Sequence, residues 1–416
     1  MRSTLRLSGA LVLAAALPLS ACGADATREA VSRDATSSPV GFGLPRPSGP
    51  QAIGTTELHL VDAAREDPWV AGKRRELMIS VWYPARDQGG PRAPYLRPAA
   101  ARAIDAAGAL GIFKPGQVDW AGARTHAGEG VAADARRGPR PVVLYSPGFG
   151  VPRALGTGLA ENLVSQGYVV VTMDHTFETT PVEFPGGRVE GQRLPPQGPE
   201  RLKKALATRV QDTRFILDRL DALRAGANPD AEGRHLPRGL GRTLDLTRVG
   251  MAGHSAGGIQ AAETMRLDRR VDSGIDMDGT MAYSDKEFVQ VAGEGLARPF
   301  MLMGAAIGGK PQTHLTNPSW GSFWDRSTGF KRDLNLPEGG HYSYTDLQTV
   351  LPELDEKLDI PAAQRAAFIG TIDVPGRAAR SVNAYVTAFF DRSLRGRPGR
   401  PLDGPSPAHP DVRFIG

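Results

Sequence analysis

The sequence predicts an alternating α/β fold, with a mostly parallel central sheet, helices on both faces and an antiparallel N-terminal edge. Three observations carry this. The runs PVVLYS (141–146) and YVVVTM (168–173) are short and nearly all apolar, the composition of strands buried on both faces. Stretches with helical spacing stand between such runs, so strands and helices alternate. The 416 residues, 40% hydrophobic and 23% charged, suffice for one large domain and exclude a disulfide mini-protein or a disordered chain. Fifty glycines and 34 prolines foretell many loops. The formal charge is +5, from 42 Arg and 8 Lys against 45 acids. Arg over Lys, with abundant Ala, Gly and Pro, reflects a GC-rich genome. No basic run is long enough for a DNA-binding arm, so no nucleic-acid partner is expected.

The chain begins with an address. Arg2 and Arg6 precede an apolar stretch, 7–19, too short to span a bilayer as a helix. That is the layout of a secretory signal peptide, here residues 1–21. It ends in Leu19-Ser20-Ala21-Cys22, which resembles the bacterial lipobox, whose Cys becomes the lipidated first residue. The expectation is an exported protein held on a cell membrane or envelope by lipid on Cys22, facing away from the cytoplasm. Cys22 is the chain's one cysteine, so the mature domain has neither thiol chemistry nor an internal disulfide. Removal of 1–21 leaves 48 basic and 45 acidic side chains, or +3. Residues 22–54, small, polar and Pro-rich, read as a lipidated flexible linker. The catalytic domain is placed at 55–395. Residues 396–416 read as a Pro/Gly-rich tail, ordered by contact or loose.

Within the domain, 56–61 and 75–83 alternate as an antiparallel hairpin. Residues 99–113 have helical spacing after Pro98, a residue tolerated in a first turn. Strand 141–146, helix 155–166 and strand 168–173 make a β–α–β crossover. A Pro/Gly-rich excursion, 179–200, reads as a lid or a surface loop. Helix 199–223 carries an apolar stripe at Val210, Phe215, Ile216, Leu217 and Leu220. Strand 246–251 and helix 257–267 follow. Then come strands 274–278, 299–305 and 332–336, and a final helix, 378–394, with Val382, Tyr385, Val386, Phe389 and Phe390 on one side.

Chemistry centres on Gly253-His254-Ser255-Ala256-Gly257-Gly258, a G-x-S-x-G between a strand and a helix. Such an elbow holds its serine at a strained backbone angle. It lifts the hydroxyl clear of the sheet's C-terminal end, near a helix N-terminus that favours negative charge. Ser255 is therefore the candidate nucleophile. A serine needs a base, expected later in the chain with an acid between. Of His314, His341 and His409, His341 follows a strand end through Pro337-Glu338-Gly339-Gly340 and is the candidate base. His314 reads as a surface or substrate-contact residue. Asp276 and Asp278 end the GIDMD strand. Asp278, at the tip, is the candidate acid, and Asp276, deeper in the strand, reads as an acceptor of backbone N–H bonds. The acid fixes the imidazole tautomer and stabilises the imidazolium.

Two N–H donors are needed for the oxyanion. Ala256 follows the nucleophile, and the loop Pro147-Gly148-Phe149-Gly150 supplies the second, Phe149 being preferred over Gly148. His254 and His175 read as supporting residues. Trp320, Phe323 and Trp324 read equally as core or as a substrate wall. No HExxH, His/Cys cluster, phosphate-binding loop or dinucleotide fingerprint is present in the sequence. Neither metal nor cofactor is expected.

These motifs together resemble the plasma-type platelet-activating-factor acetylhydrolase family and its bacterial relatives in the α/β-hydrolase superfamily. The resemblance covers roughly residues 56–394. It rests on YSPGFG (145–150), GYVVVTMDH (167–175), RVQDTRFILDRL (209–220), GHSAGG (253–258), GIDMDG (274–279) and GGHYSYTDL (339–347). It implies Ser255, Asp278 and His341 as triad and Phe149 and Ala256 as oxyanion donors. The chain departs in its SPGFG turn and in the insertion 179–201, so platelet-activating factor is not inferred as substrate. Secreted lipases and polyester hydrolases are similar in outline but carry a C-terminal disulfide that one cysteine cannot make.

The expected function is a serine carboxylic-ester hydrolase working through an acyl-enzyme, on small-molecule short-acyl or lipid esters. The alternatives are a secreted lipase or polyester hydrolase, and a non-catalytic envelope lipoprotein that keeps the hydrolase fold. A long-chain or polymer preference marks the first. Failure of a fluorophosphonate probe to label Ser255 marks the second.

Overall fold

The computed structural model describes residues 38–372 and 374–416. Residues 1–21, read as a signal peptide, and Cys22 lie outside the described residues. Eleven strands form one sheet: β1 Ile53–Glu66, β2 Arg74–Pro84, β3 Arg92–Pro94, β4 Arg124–Glu129, β5 Arg140–Ser146, β6 Val169–Met173, β7 Leu244–His254, β8 Ser273–Met277, β9 Phe300–Gly304, β10 Lys331–Asn335 and β11 Arg413–Phe414. Their spatial order is β11-β10-β9-β8-β7-β5-β6-β2-β1-β4-β3. The strands from β10 to β6 run parallel, and β2 pairs antiparallel with β6 and β1. This is the α/β-hydrolase arrangement expected from the alternation of elements. The early hairpin is not the sheet's edge, because β4 pairs with β1 and β3 with β4. Neither was read from sequence; β4 (RTHAGE) offers no apolar alternation.

The helices are α1 Pro98–Ala106, α2 Thr157–Ser165, α3 Pro199–Arg224, α4 Ala256–Leu267, α5 Pro318–Arg326, α6 Leu347–Leu358 and α7 Arg377–Arg395. The predicted helix 99–113 is broken after α1. Gly108 takes φ 69°, a left-handed conformation that ends the helix, before a short turn at Ala109–Ile112. Strand alternation divides the core in two. Val142 and Leu144 of β5 pack with Leu206, Val210 and Leu217 of α3 and with Met265 of α4. Val143 and Tyr145 face α2 and α7, where Val382, Tyr385, Val386, Phe389, Phe390 and Leu394 are buried. Each such large side chain stabilises the fold by roughly 1.5–3 kcal/mol. Both faces of β5 and β7 are thus covered, and the polar ends of the strands are left for chemistry.

At the chain ends, the expectation for the linker changes and the choice for the tail is settled. The part of the 22–54 linker that is described is packed, not flexible. Phe42 and Leu44 are buried with Tyr95, Trp120, Val350 and Leu351, and Ile53 opens β1. Two apolar residues among glycines and prolines give no periodicity, yet they cover α6 and the segment after β3. The tail takes the ordered-by-contact alternative. Leu402 and Val412 are buried, and β11 pairs with β10 through Leu334 and Asn335. The 179–200 excursion is a surface ribbon, Val182–Glu183 paired with Val189–Glu190, with Val182 and Phe184 buried against Met78.

Candidate active site

Strand β7 delivers Ser255 directly into α4. Ser255 has φ 56° and ψ −121°, outside the regions an L-residue favours, a strain of about 1–3 kcal/mol. Sterics explain the flanking glycines. A Cβ on Gly253 would fall on the Gly257 carbonyl, and one on Gly257 would fall on the Ser146 carbonyl. The elbow is pinned from both sides. Ser255 N donates to Met277 O at 2.7 Å, and Gly258 N donates to Ser255 O at 2.9 Å.

Asp278 stands one residue past β8, also at positive φ, 65°. Its amide donates to Met303 O of β9 at 2.8 Å. One carboxylate oxygen accepts from Ala305 N at 2.8 Å, and Oδ2 lies 2.6 Å from His341 Nδ1. Asp278 is buried, whereas the His341 side chain is 30% exposed, so one edge of its ring reaches the solvent. His254 supports that ring. Its Nε2 lies 2.9 Å from His341 O, and the two imidazoles are 4.6 Å apart. Burial, then the neighbouring His341, hold His254 well below the usual histidine range, so it supports as a neutral ring. The structure thus brings Asp278 and His341 together and places Ser255 on the adjoining strand end.

Asp276 is fully buried, and its Oδ1 accepts from Gly279 N at 2.8 Å. This is the backbone-accepting alternative read from sequence. Burial pushes its carboxyl well above the usual range.

The Phe149 amide has no acceptor among the described residues. Ala256 opens α4, where first-turn amides lack intrahelical partners. Beneath the Phe149 loop lies a buried polar group that sequence reading missed. Arg209 of α3 donates to Pro147 O at 2.8 Å, to Gly148 O at 3.2 Å and to Glu178 Oε2 at 2.8 Å. Its guanidinium is 4.9 Å from the Phe149 ring. Ser146 Oγ contacts Gln260 Oε1 at 2.6 Å and His175 Nε2 at 3.0 Å. His175 Nδ1 meets Asp212 at 2.9 Å, and Arg75 forks onto Asp212 at 3.1 and 2.6 Å. Burial pushes His175 down to about 4. A signal was available. Position 209 falls on the apolar stripe of α3, where an arginine must find buried partners.

The other aromatic and histidine readings divide. Trp320 and Phe323 are core, while Trp324 is partly buried and stacks on His314 at 4.1 Å. His314 Nδ1 lies 2.6 Å from Asp333, making it a structural pair rather than an open surface group. His409 packs on Tyr385. Among the described residues no cluster of His, Cys, Asp and Glu could hold a metal ion.

A nucleophile elbow on the middle of a parallel sheet, with an acid and a histidine from the next strand ends, defines an α/β-hydrolase. No family model matches the chain. It is 30% identical over 404 residues to a probable 1-alkyl-2-acetylglycerophosphocholine esterase of Arthroderma benhamiae, across 92% of this chain and 96% of that one. It superposes on the structure of a ferulic acid esterase from Streptomyces cinnamoneus with a TM-score of 0.73 and 38% identity, across 91% of this chain and all of that one. The chain belongs to this family of α/β-hydrolase esterases and is a carboxylic-ester hydrolase.

Proposed function

We propose that the enzyme hydrolyses short-acyl or lipid esters through a Ser255 acyl-enzyme. The observation that carries this is the 2.6 Å contact of His341 Nδ1 with Asp278, one strand from the strained Ser255. His341 Nε2 takes the Ser255 proton as Oγ attacks the ester carbonyl. Asp278 holds the tautomer and stabilises the imidazolium. The amides of Ala256 and Phe149 receive the oxyanion, and His341 protonates the departing alkoxide. Water, deprotonated by His341, then attacks the acyl-enzyme, and Ser255 is released with the acid product. The chain's own groups supply each proton transfer.

A second substrate class has specific support. Phe149 and Tyr342 flank the elbow and His341, Tyr342 packs on Phe368 with ring centroids 5.3 Å apart, and one relative is a ferulic acid esterase. Such surfaces suit an aromatic acyl group. Ser255→Ala, assayed on p-nitrophenyl acetate, is the test of mechanism; full turnover would overturn it. A panel of acetyl, long-chain and feruloyl esters ranks the substrates by kcat/KM. We also propose export and lipid anchoring at Cys22. Cys22→Ala should release the protein from the membrane fraction, and unchanged sedimentation would refute the anchor.

A further inference from the structure

We propose that Arg209 is the positioning residue of the oxyanion hole; the inference rests on the reading of Phe149 as a donor. In a trans peptide the C=O of one residue and the N–H of the next lie in one plane and point in opposite directions. Fixing the Gly148 carbonyl therefore fixes the Phe149 N–H. Fixing the Pro147 carbonyl does the same for Gly148 N–H. Arg209 bonds both carbonyls, at 2.8 and 3.2 Å, from two nitrogens of one rigid fork. Both carbonyls point down onto α3, so both amides point away from it. The loop lies against the elbow: a Cβ on Gly148 would lie 3.2 Å from the Ser255 Cβ.

The Gly148 carbonyl also accepts from Val151 N at 3.3 Å, whereas the Pro147 carbonyl has Arg209 alone as donor among the described residues. Gly148 and Gly150 give the loop conformational freedom, Gly150 at φ 71°. The fork itself is immobilised. Arg209 is fully buried, its Nε donates to the buried Glu178 at 2.8 Å, and Nη1 lies 3.5 Å from Ser146 Oγ and Gln260 Oε1. Phe149 closes over the guanidinium with its ring. A lysine retains the charge but offers a point ammonium on a flexible stem in place of the fork.

Arg209→Lys and Arg209→Met decide the matter, each measured for thermal unfolding, kcat and KM on p-nitrophenyl acetate, and affinity for a boronic acid, whose tetrahedral adduct places an oxygen in the hole. Loss of a whole oxyanion donor costs about 10²–10³ in kcat, so a mis-aimed donor should cost about 10–10². The expected result is a folded Arg209→Lys enzyme with kcat reduced by that factor, KM within threefold and boronate affinity reduced in parallel with kcat. A merely structural role would lower the melting temperature without that split. If Arg209→Met fails to fold, Arg209→Lys alone decides. An Arg209→Lys enzyme that keeps kcat within twofold, or that does not fold, overturns the proposal. Ser255→Ala is run alongside. Turnover by that variant would overturn the underlying triad, whereas an inactive Ser255→Ala beside a fully active Arg209→Lys would overturn only the role of Arg209.

Discussion

His341 and His314 are held alike and placed differently. Each presents Nδ1 to an aspartate at 2.6 Å, on neighbouring parts of the sheet. Asp278 stands beyond the end of β8, and its histidine keeps one edge exposed. Asp333 lies in the middle of β10, and its histidine is drawn back against the sheet. The His314 side chain is 8% exposed against 30% for His341. Its ring lies flat on Trp324, and its own amide donates to the same Asp333 oxygen at 2.6 Å. A histidine–aspartate contact is therefore not in itself a catalytic arrangement. The role proposed for His341 also asks for a second nitrogen free for Ser255, and its 30% exposed side chain leaves an edge for that.

The comparison can be broken most directly at the proposed nucleophile. Ser255→Ala and His341→Ala should each lower kcat by roughly 10⁵–10⁶, as a triad acting as a unit does, whereas His314→Ala should leave kcat within about threefold. The next contrast is between the aspartates. Asp278→Asn should cost about 10⁴ in kcat by presenting the wrong tautomer partner. Asp333→Asn should not alter the rate, and steady-state kinetics on one ester settles both.

Stability sharpens the contrast. Burial raises the Asp333 carboxyl to about 6 from 3.8. The folded state then binds its proton more tightly than the unfolded chain, so this group makes stability fall as pH rises from about 4 to 6. Asp333→Asn removes that loss. Urea midpoints should show the variant gaining about 2–3 kcal/mol relative to the parent between pH 4 and pH 7. A difference that does not change with pH refutes the assignment. The smallest effect is expected at Trp324→Leu. Loss of the stack on His314 should lower stability by about 1 kcal/mol, read by thermal unfolding, with kcat unchanged.

Much of the site was legible because its parts are local. The elbow is one hexapeptide, Asp278 ends an apolar run, and His341 follows the next strand but one. The Arg209 group was not legible as a site. Arg209 and Glu178 are 31 residues apart, and only α3 folding across β5 brings them under the Pro147–Gly148 carbonyls. The 38–54 segment misled because composition reports the average of a stretch. Phe42 and Leu44 are few, but each finds a hydrophobic surface. Strand β4 was missed because its six residues show no apolar alternation, and β11 because it is two residues long; both owe their form to the strand beside them.

By itself the sequence determined the alternation of buried strands and helices, the strained serine between Gly253 and Gly257, and the order Ser255, Asp278, His341. Those are properties of short windows, set by periodicity, glycine sterics and strand ends. Tertiary structure alone decided that residues 38–54 pack on the domain, whether Trp320 or Trp324 belongs to the core, and what holds the Phe149 loop. These depend on contacts between residues far apart in the chain, and only the packing of α3, β5 and β10 around one sheet makes those contacts.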